Sequence, residues 1–146
     1  MIGDTTPGDL AVACPQEAIA DHLAALQTIR AAWLAEMATL EDQGIDEAIP
    51  TESWETRNGG GKYLRLVYPT DRQTGQRRKV YVGADPAAIE TARARVDRRR
   101  RWETLSANLA QLDRVLAETE RQLTSMEREL RRWRRTWGQK ELPAAA

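Results

Sequence analysis

Apolar residues recur at steps of three and four along the first part of the chain, a spacing that predicts an amphipathic helix. Pro15 suits the first turn of such a helix, because its missing N–H has no intrahelical partner there, and Gly44 stands where a C-terminal cap belongs. The pattern predicts a helix over residues 15–44, after a flexible lead over residues 1–14. Its apolar row, which Arg30 interrupts, is Ile19, Leu23, Leu26, Trp33, Met37 and Leu40.

A longer row follows towards the end of the chain, and its steps of three and four alternate over five heptads. Asp85 and Pro86 stand before it as an N-cap and a proline at the first helical position. Together they predict a second helix over residues 85–137 that carries a coiled-coil seam, followed by a flexible tail over residues 138–146. The row is Trp102, Leu105, Leu109, Leu112, Leu116, Thr119, Leu123, Met126, Leu130, Trp133 and Trp137.

The segment between the helices, residues 51–84, has the period of two that is typical of β-strands. Residues 62–68 and 77–82 each alternate between apolar and polar positions, which predicts two strands, and residues 53–57 suit a third. The predicted fold is mainly α: a two-helix antiparallel coiled coil with a small two- or three-stranded antiparallel sheet inserted between the helices. The sheet face expected to be buried consists of Leu64, Leu66, Tyr68, Val80 and Val82.

The two predicted helices differ in length. At 1.5 Å per residue the first spans roughly 42 Å and the second roughly 78 Å, so an antiparallel first helix covers only about half of the second. The row from Leu116 to Trp137 would then be exposed, which soluble monomers rarely tolerate. We therefore predict a homo-oligomer, with a dimer favoured, whose seam is Leu109, Leu112, Leu116, Leu123, Met126, Leu130, Trp133 and Trp137.

Arginines surround the last two tryptophans, at residues 131–132 and 134–135. Such a mixture can also indicate a membrane surface or a nucleic-acid-binding tail. Because Trp133 and Trp137 continue the heptad row in phase, the end of a coiled coil is the favoured interpretation.

Charge is distributed unevenly along the chain, although the formal net charge is zero. Residues 1–56 contain eleven acidic residues and one base, whereas residues 57–101 contain thirteen bases and four acidic residues. This asymmetry suggests either an internal match of acidic and basic surfaces or a basic surface for a polyanion.

Four consecutive arginines, residues 98–101, are the sharpest local feature. Four helical residues in a row point all round the axis, so at least one of them points at the seam. Antiparallel folding brings this turn near the acidic end of the first helix, where opposite charges would set the register, and this interpretation is favoured. The alternative is a phosphate-binding surface shared with the sheet. Its candidate residues are Arg57, Lys62, Tyr63, Arg65, Arg77, Arg78, Lys79, Tyr81, Arg98, Arg99, Arg100 and Arg101.

Side chains suited to catalysis are scarce. His22 is the only histidine and Cys14 the only cysteine, so the sequence offers neither a four-ligand zinc site nor a disulfide within the chain. Residues 58–61, Asn-Gly-Gly-Gly, precede Lys62 but lack the remaining pattern of a phosphate-binding loop and predict a turn between strands. We expect no enzyme, with no catalytic residue, no metal, no cofactor and no evident small-molecule substrate.

The chain has no run approaching the ~18 apolar residues of a membrane span. Its first acidic residues, Asp4 and Asp9, are unlike the basic start of a signal peptide. A single cysteine fits a reducing compartment. These features predict a cytoplasmic location and no membrane partner.

Two strand patterns, Lys62-Tyr-Leu-Arg-Leu-Val-Tyr and Arg78-Lys-Val-Tyr-Val-Gly, precede Asp85-Pro and an Arg-rich helix. They resemble small uncharacterised bacterial proteins in which an aromatic hairpin leads into a long charged helix. The likeness covers about residues 54–105, and such proteins are often associated with plasmids and mobile elements, which implies no established activity. The layout is also similar to prefoldin-type chaperone subunits, and the sheet is distantly similar to the three-stranded arm-binding modules of phage integrases.

These patterns predict an interaction and assembly protein that dimerises through residues 102–137 and presents the sheet of residues 57–83 to a partner. Nucleic acid is the favoured partner, contacted through the basic region of residues 57–101. One alternative is a prefoldin-like chaperone or holdase, whose apolar helix tips would grip unfolded chains. The other is a structural protein whose charges are neutralised internally and which has no role with nucleic acid.

Overall fold

The computed structural model describes residues 15–141, and the side chains of residues 17–138. Its elements are α1 (Pro15–Gln43), β1 (Thr51–Thr56), β2 (Lys62–Val67), β3 (Lys79–Gly83) and α2 (Pro86–Glu141). The fold is mainly α, with a three-stranded antiparallel sheet between two helices, as the two hydrophobic periods predict. The predicted lead of residues 1–14 lies outside the described residues. α2 continues through residues 138–141, so only residues 142–146 of the predicted tail lie outside as well.

The helix ends that face the sheet are capped as the sequence predicts. Gly44 follows α1 with a φ of 90°, a left-handed conformation that favours glycine, and its N–H donates to the Glu41 carbonyl at 3.0 Å. The Asp85 carboxylate accepts a hydrogen bond from the Ala87 N–H at the start of α2. From α2, Arg98 Nε donates to the Gly44 carbonyl at 2.6 Å. The second helix therefore also caps the end of the first.

The strands follow one another in the order β1-β2-β3, and each neighbouring pair is antiparallel. The register sets Trp54 opposite Leu64, and Leu66 opposite Val80. Between β1 and β2, Gly59 and Gly60 have φ values of 115° and 85°, so the run of glycines forms the predicted tight turn.

The inner face of the sheet packs on the first turns of α2. Leu64, Leu66 and Tyr68 are buried, as the alternation in β2 predicts, and they contact Val96 of α2. The half-buried residues packed around this cluster are Ala48, Ile49, Val80, Val82, Ile89 and Ala92. A three-stranded sheet needs such a partner, because an isolated β-hairpin is only marginally stable in water.

The two helices pack against each other in antiparallel orientation. Arg30 Nε donates to Asp113 Oδ1 at 2.7 Å, and Trp102 Nε1 donates to Glu41 Oε1 at 2.8 Å. Leu105 lies in this interface and is 1% exposed. In an antiparallel pair, a residue that lies a given number of positions before Arg30 is level with the residue the same number of positions after Asp113. Pro15, the first residue of α1, is therefore level with Arg128.

The prediction that the apolar row is exposed from Leu116 onwards is wrong about the residue at which exposure begins. Leu116 and Leu123 are half-buried, and full exposure of the row begins only at Met126, which is 56% exposed. The sheet packs on the first turns of α2. The end of α1 therefore meets α2 near Trp102 and not at its first residue, and α1 covers a part of α2 that lies further towards the C-terminus. Helix length alone does not reveal this displacement.

Candidate interaction surfaces

α2 extends past α1 beyond Arg128, and four large apolar side chains at and beyond this level are exposed; we call them the distal row: Met126, Leu130, Trp133 and Trp137. Their exposed fractions are 56%, 62%, 55% and 51%. The rings of Trp133 and Trp137 stack on each other, with centroids 6.0 Å apart and planes inclined by 14°. These residues continue the heptad stripe that packs on α1 earlier along α2, and within residues 17–138 no other element covers them.

The other half of the predicted oligomer seam lies inside the chain. Leu112 is buried, and Leu109, Leu116 and Leu123 are half-buried on the stripe that faces α1. The structure thus divides the predicted seam into an intramolecular part and the distal row. Periodicity identified the stripe, but it carries no information about which helix covers each part.

Basic residues predominate around the distal row. Residues 126–137 contain five arginines and two glutamates, a net charge of +3. Arg131 is paired with Glu127, and Arg132 lies 3.9 Å from Glu129. Within residues 17–138, Arg134 forms neither an ion pair nor a hydrogen bond.

The outer face of the sheet carries an aromatic and basic cluster. The ring centroids of Tyr63 and Tyr81 lie 6.0 Å apart with planes inclined by 24°. The guanidinium carbon of Arg57 lies 4.9 Å from the centroid of Tyr63 and 5.2 Å from that of Tyr81. Such cation–π contacts attract the guanidinium to both rings. The sequence predicts this face for both tyrosines and names Arg57 as a candidate, and the structure places Arg57, at the end of the neighbouring strand, over their rings.

Two further bases lie on the same outer face. Arg65 is half-buried and paired with Glu55 at 2.6 Å, and its Nε is buried without a hydrogen-bond partner in the described part of the chain. Lys79 is exposed two residues before Tyr81 on β3 and therefore on the same face. Arg57, Arg65 and Lys79 are accompanied on this face by one carboxylate, that of Glu55, so the face keeps a net positive charge. Lys62 is exposed at the start of β2.

Arg77 and Arg78 do not join the outer cluster. Arg78 is paired with Glu47 at 2.5 Å and lies over the ring of Tyr68, 4.6 Å from its centroid. Arg77 Nε donates to the Thr70 hydroxyl across the turn between β2 and β3. Both side chains therefore contribute to local structure at the end of the sheet.

The four consecutive arginines point in different directions, and the fold uses most of them. Arg98 caps α1 through the Gly44 carbonyl, Arg99 pairs with Glu103 at 2.9 Å, and Arg101 pairs with Glu36 at 2.7 Å. The guanidinium of Arg101 lowers the pKa of Glu36 through hydrogen bonds, and Glu36 in turn raises the pKa of Arg101.

Arg100 is the exception, since it makes no ion pair or hydrogen bond within residues 17–138. The structure does not gather residues 98–101 and the outer sheet cluster onto one surface.

Ion pairs between the acidic first third and the basic middle of the chain recur through the fold. Besides Arg101 with Glu36, they include Arg93 with Glu52 at 2.8 Å, where hydrogen bonding to Arg93 lowers the pKa of the carboxyl group. The antiparallel arrangement that the sequence predicts brings these segments together. Because these pairs are substantially exposed, each adds little to the free energy of unfolding.

Asp46 is a structurally important residue whose role the sequence does not reveal. It is 7% exposed and accepts hydrogen bonds from the Tyr68 hydroxyl and from the N–H of Glu47. Burial, followed by the bond to Asp46, raises the pKa of Tyr68 to about 12. The only signal in the sequence is Tyr68 itself. A tyrosine on the buried face of a strand usually needs a hydrogen-bond partner for its hydroxyl.

Within residues 15–141, no group of three or more His, Cys, Asp or Glu side chains is placed to hold a metal ion. No helix in that part of the chain is long and apolar enough to cross a membrane. No protein-family model matches the chain, and no curated protein or solved structure is significantly similar to it.

Proposed function

We propose that this chain is a non-enzymatic assembly protein that associates with a second copy of itself through the distal row and presents its sheet to a partner. The exposure of four large apolar side chains on one face of α2, at and beyond the level where α1 begins, carries the proposal. Soluble monomers rarely keep such a continuous apolar face.

The energy available from the distal row suits a reversible association. Fully burying one large apolar side chain contributes about 1.5–3 kcal/mol, and about half of each side chain is exposed before association. Met126 lies level with α1, so the contact involves Leu130, Trp133 and Trp137 of each copy, and these six side chains contribute roughly 4.5–9 kcal/mol by that rule. This is of the same order as the roughly 4–15 kcal/mol lost in translational and rotational freedom. We expect a dimer that dissociates on dilution.

Sedimentation equilibrium tests the proposal directly. The unmutated protein should show a mass above the 16.5 kDa of one chain at micromolar concentration. Replacing Leu130→Asp together with Trp133→Asp should return it to the monomer mass, because charges then interrupt the apolar row. The matched control, Arg128→Asp with Arg135→Asp, introduces the same two side chains on the opposite face of the helix and should keep the association. A monomer in the unmutated protein contradicts the proposal.

Salt provides a second measurement on the same sample. Each copy brings a net charge of +3 within residues 126–137, so two such segments repel each other at low ionic strength. Since added salt screens this repulsion, we expect association to strengthen between low and physiological salt. Association that weakens with salt would point to ion pairs, not the distal row, as its source.

Nucleic acid binding by the outer sheet face is the second candidate function, and the stack of Arg57 over Tyr63 and Tyr81 favours it. Aromatic rings on an open sheet can stack on bases, and neighbouring arginines and lysines contact phosphates. On this face Tyr81 is 49% exposed and Tyr63 half-buried, and Arg57 and Lys79 lie beside them without an ion pair in the described part of the chain. We propose this face as the contact surface for this partner.

Fluorescence anisotropy with labelled single-stranded and duplex oligonucleotides, at two salt concentrations, tests the second candidate. Binding should fall steeply as salt rises, because phosphate contacts release counterions. Arg57→Ala with Lys79→Ala should weaken binding about tenfold or more, on the scale of two lost cationic contacts. The control, Arg114→Ala with Arg121→Ala, removes two exposed arginines of α2 that lie far from the sheet. Negligible binding of both oligonucleotides at low salt excludes this function.

A further inference from the structure

Among the described residues 15–141, no second helix lies beside the end of α2, because α1 begins at Pro15 and α2 continues beyond that level. The first residue of α1 lies level with Arg128, whereas α2 continues to Glu141. This leaves about thirteen residues of α2, roughly 20 Å, with an apolar stripe and no helix next to it. The heptad spacing of apolar residues continues past this point without interruption. The stripe can therefore pack against another helix on the same side of α2 that α1 occupies earlier along it.

We propose that the end of α2 from a second copy occupies this position in antiparallel orientation, so that the two chains meet tail to tail. The inference rests on the proposed self-association and names its geometry. The second copy does the same in return, and the dimer has one two-fold axis across the paired ends of α2. Such a closed, self-complementary contact is the commonest form of association between identical chains.

Chain direction supports the antiparallel arrangement. α1 runs antiparallel to α2, and an α2 from a second copy that runs antiparallel to the first has the direction of α1. Its C-terminal end then meets the N-terminal end of α1, and the two helix dipoles are aligned head to tail. The second copy thus continues the path of α1 along the stripe.

A parallel arrangement is disfavoured by the position of α1. In a parallel pair, the stripes of the two α2 helices would face each other. Each α1 packs on such a stripe, so both α1 helices would lie between the α2 helices at the same level. Each helix is about 10 Å in diameter, so two of them would hold the α2 helices apart just below the distal rows. The antiparallel pair avoids this conflict because the sheet and α1 of each copy lie at opposite ends.

The tryptophans define the register of the proposed contact. Antiparallel coiled coils align heptad positions of opposite type, which sets Trp133 of one copy against Trp137 of the other. The two-fold axis then passes close to Arg135. The stacked tryptophan pair of each copy meets that of the other, and Leu130 lies at the edge of the contact.

This arrangement separates the two sheets. Val96, beneath the sheet, is about forty residues from the axis, which places the sheets roughly 120 Å apart on a rod. Their outer faces are then available to two distant sites at the same time, so the dimer is a bivalent spacer. A parallel dimer would hold the sheets only a few tens of Å apart.

Small-angle X-ray scattering of the full chain, combined with sedimentation equilibrium, tests the inference. A tail-to-tail dimer should have a maximum dimension of roughly 150 Å, whereas a single chain or a parallel dimer should reach only roughly 90 Å. Twice the chain mass with roughly 150 Å supports the inference. Twice the mass with roughly 90 Å overturns it and leaves self-association standing. A monomer mass overturns both.

Cysteine cross-linking gives an independent readout of chain direction. One variant carries Cys14→Ser with Trp133→Cys, and another carries Cys14→Ser with Trp137→Cys. Tail-to-tail pairing predicts that a disulfide forms much faster in the mixture than in either variant alone. Fast cross-linking of each variant by itself would indicate parallel pairing and overturn the inference. Trp133→Glu with Trp137→Glu serves as the dissociated reference, with an expected dimension of roughly 90 Å.

Discussion

The hydroxyl of Tyr68, immediately after β2, donates a hydrogen bond of 2.6 Å to Asp46 Oδ2. The other carboxylate oxygen of Asp46 accepts from the N–H of Glu47, and the N–H of Asp46 donates to the Arg95 carbonyl in α2. Asp46 thus joins the connection after α1 to the sheet through its carboxylate and to the second helix through its backbone N–H. A polar side chain is tolerated in this buried position because hydrogen bonds replace water around it.

Replacing Asp46→Ala should lower the free energy of unfolding by about 1–3 kcal/mol, because the Tyr68 hydroxyl loses its acceptor in a buried position. Urea denaturation followed by tryptophan fluorescence measures the change. Asp42→Ala removes an exposed carboxylate from the end of α1 and should change the midpoint little. Equal effects of the two substitutions would show that the buried contact does not stabilise the fold.

Alkaline pH should destabilise the protein through Tyr68. Its pKa in the folded state is raised to about 12 from an ordinary value of 10.0. The folded state holds this proton more tightly than the unfolded chain, so the stabilisation is complete below about pH 10 and is lost as the pH rises towards 12. Urea midpoints at pH 9 and pH 11 should therefore differ. Tyr68→Phe should reduce that difference, whereas Tyr81→Phe, on the exposed face, should preserve it.

The arginines of the helical turn at residues 98–101 should separate into structural and dispensable members. Arg98→Ala removes a partly buried charged donor from the Gly44 carbonyl and should lower the free energy of unfolding by about 1 kcal/mol. Arg100→Ala should have almost no effect, because Arg100 makes no hydrogen bond or ion pair within residues 17–138. Thermal unfolding at matched salt compares the two. A larger loss for Arg100→Ala would contradict the placement of these side chains.

The two parts of the heptad stripe should respond differently to truncation. Leu105→Ala creates a cavity in the α1–α2 interface, where the side chain is 1% exposed, and should cost about 2–5 kcal/mol. Leu130→Ala, at a position that is 62% exposed, should barely change the unfolding of dilute monomers. Denaturation at nanomolar concentration isolates the monomer from any association. A similar loss at both positions would mean that a second helix covers the whole stripe within one chain.

Local sequence signals account for most of the architecture. Pro15 and Gly44 mark the limits of α1, and Asp85 marks the start of α2, because caps and turns depend on residues that are neighbours in the chain. The alternation that places Leu64 and Leu66 on one face likewise predicts the buried side of the sheet. The opposite outer positions of Tyr63 and Tyr81 follow from the same period of two.

The contacts that decide the candidate surfaces are less accessible to such reasoning. Arg57 lies over two tyrosines from other strands, and Arg98 meets the end of α1, because distant segments converge there. A sequence shows how many arginines the central region has, but it does not show which of them find a carboxylate or a carbonyl. That selection leaves the outer sheet face as a basic and aromatic surface and confines residues 98–101 mainly to structural contacts.

By itself the sequence determined the two helices, the second and third strands and the continuous stripe on α2, since each depends on periodicity along a single element. It allows the first strand only as an alternative. Only the tertiary structure decided where that stripe stops being covered. The sheet occupies the first turns of α2 and displaces α1 along it, so the exposed part begins at Met126 and not at Leu116. The physical reason is that burial depends on how elements are offset against one another, and no local spacing encodes that offset.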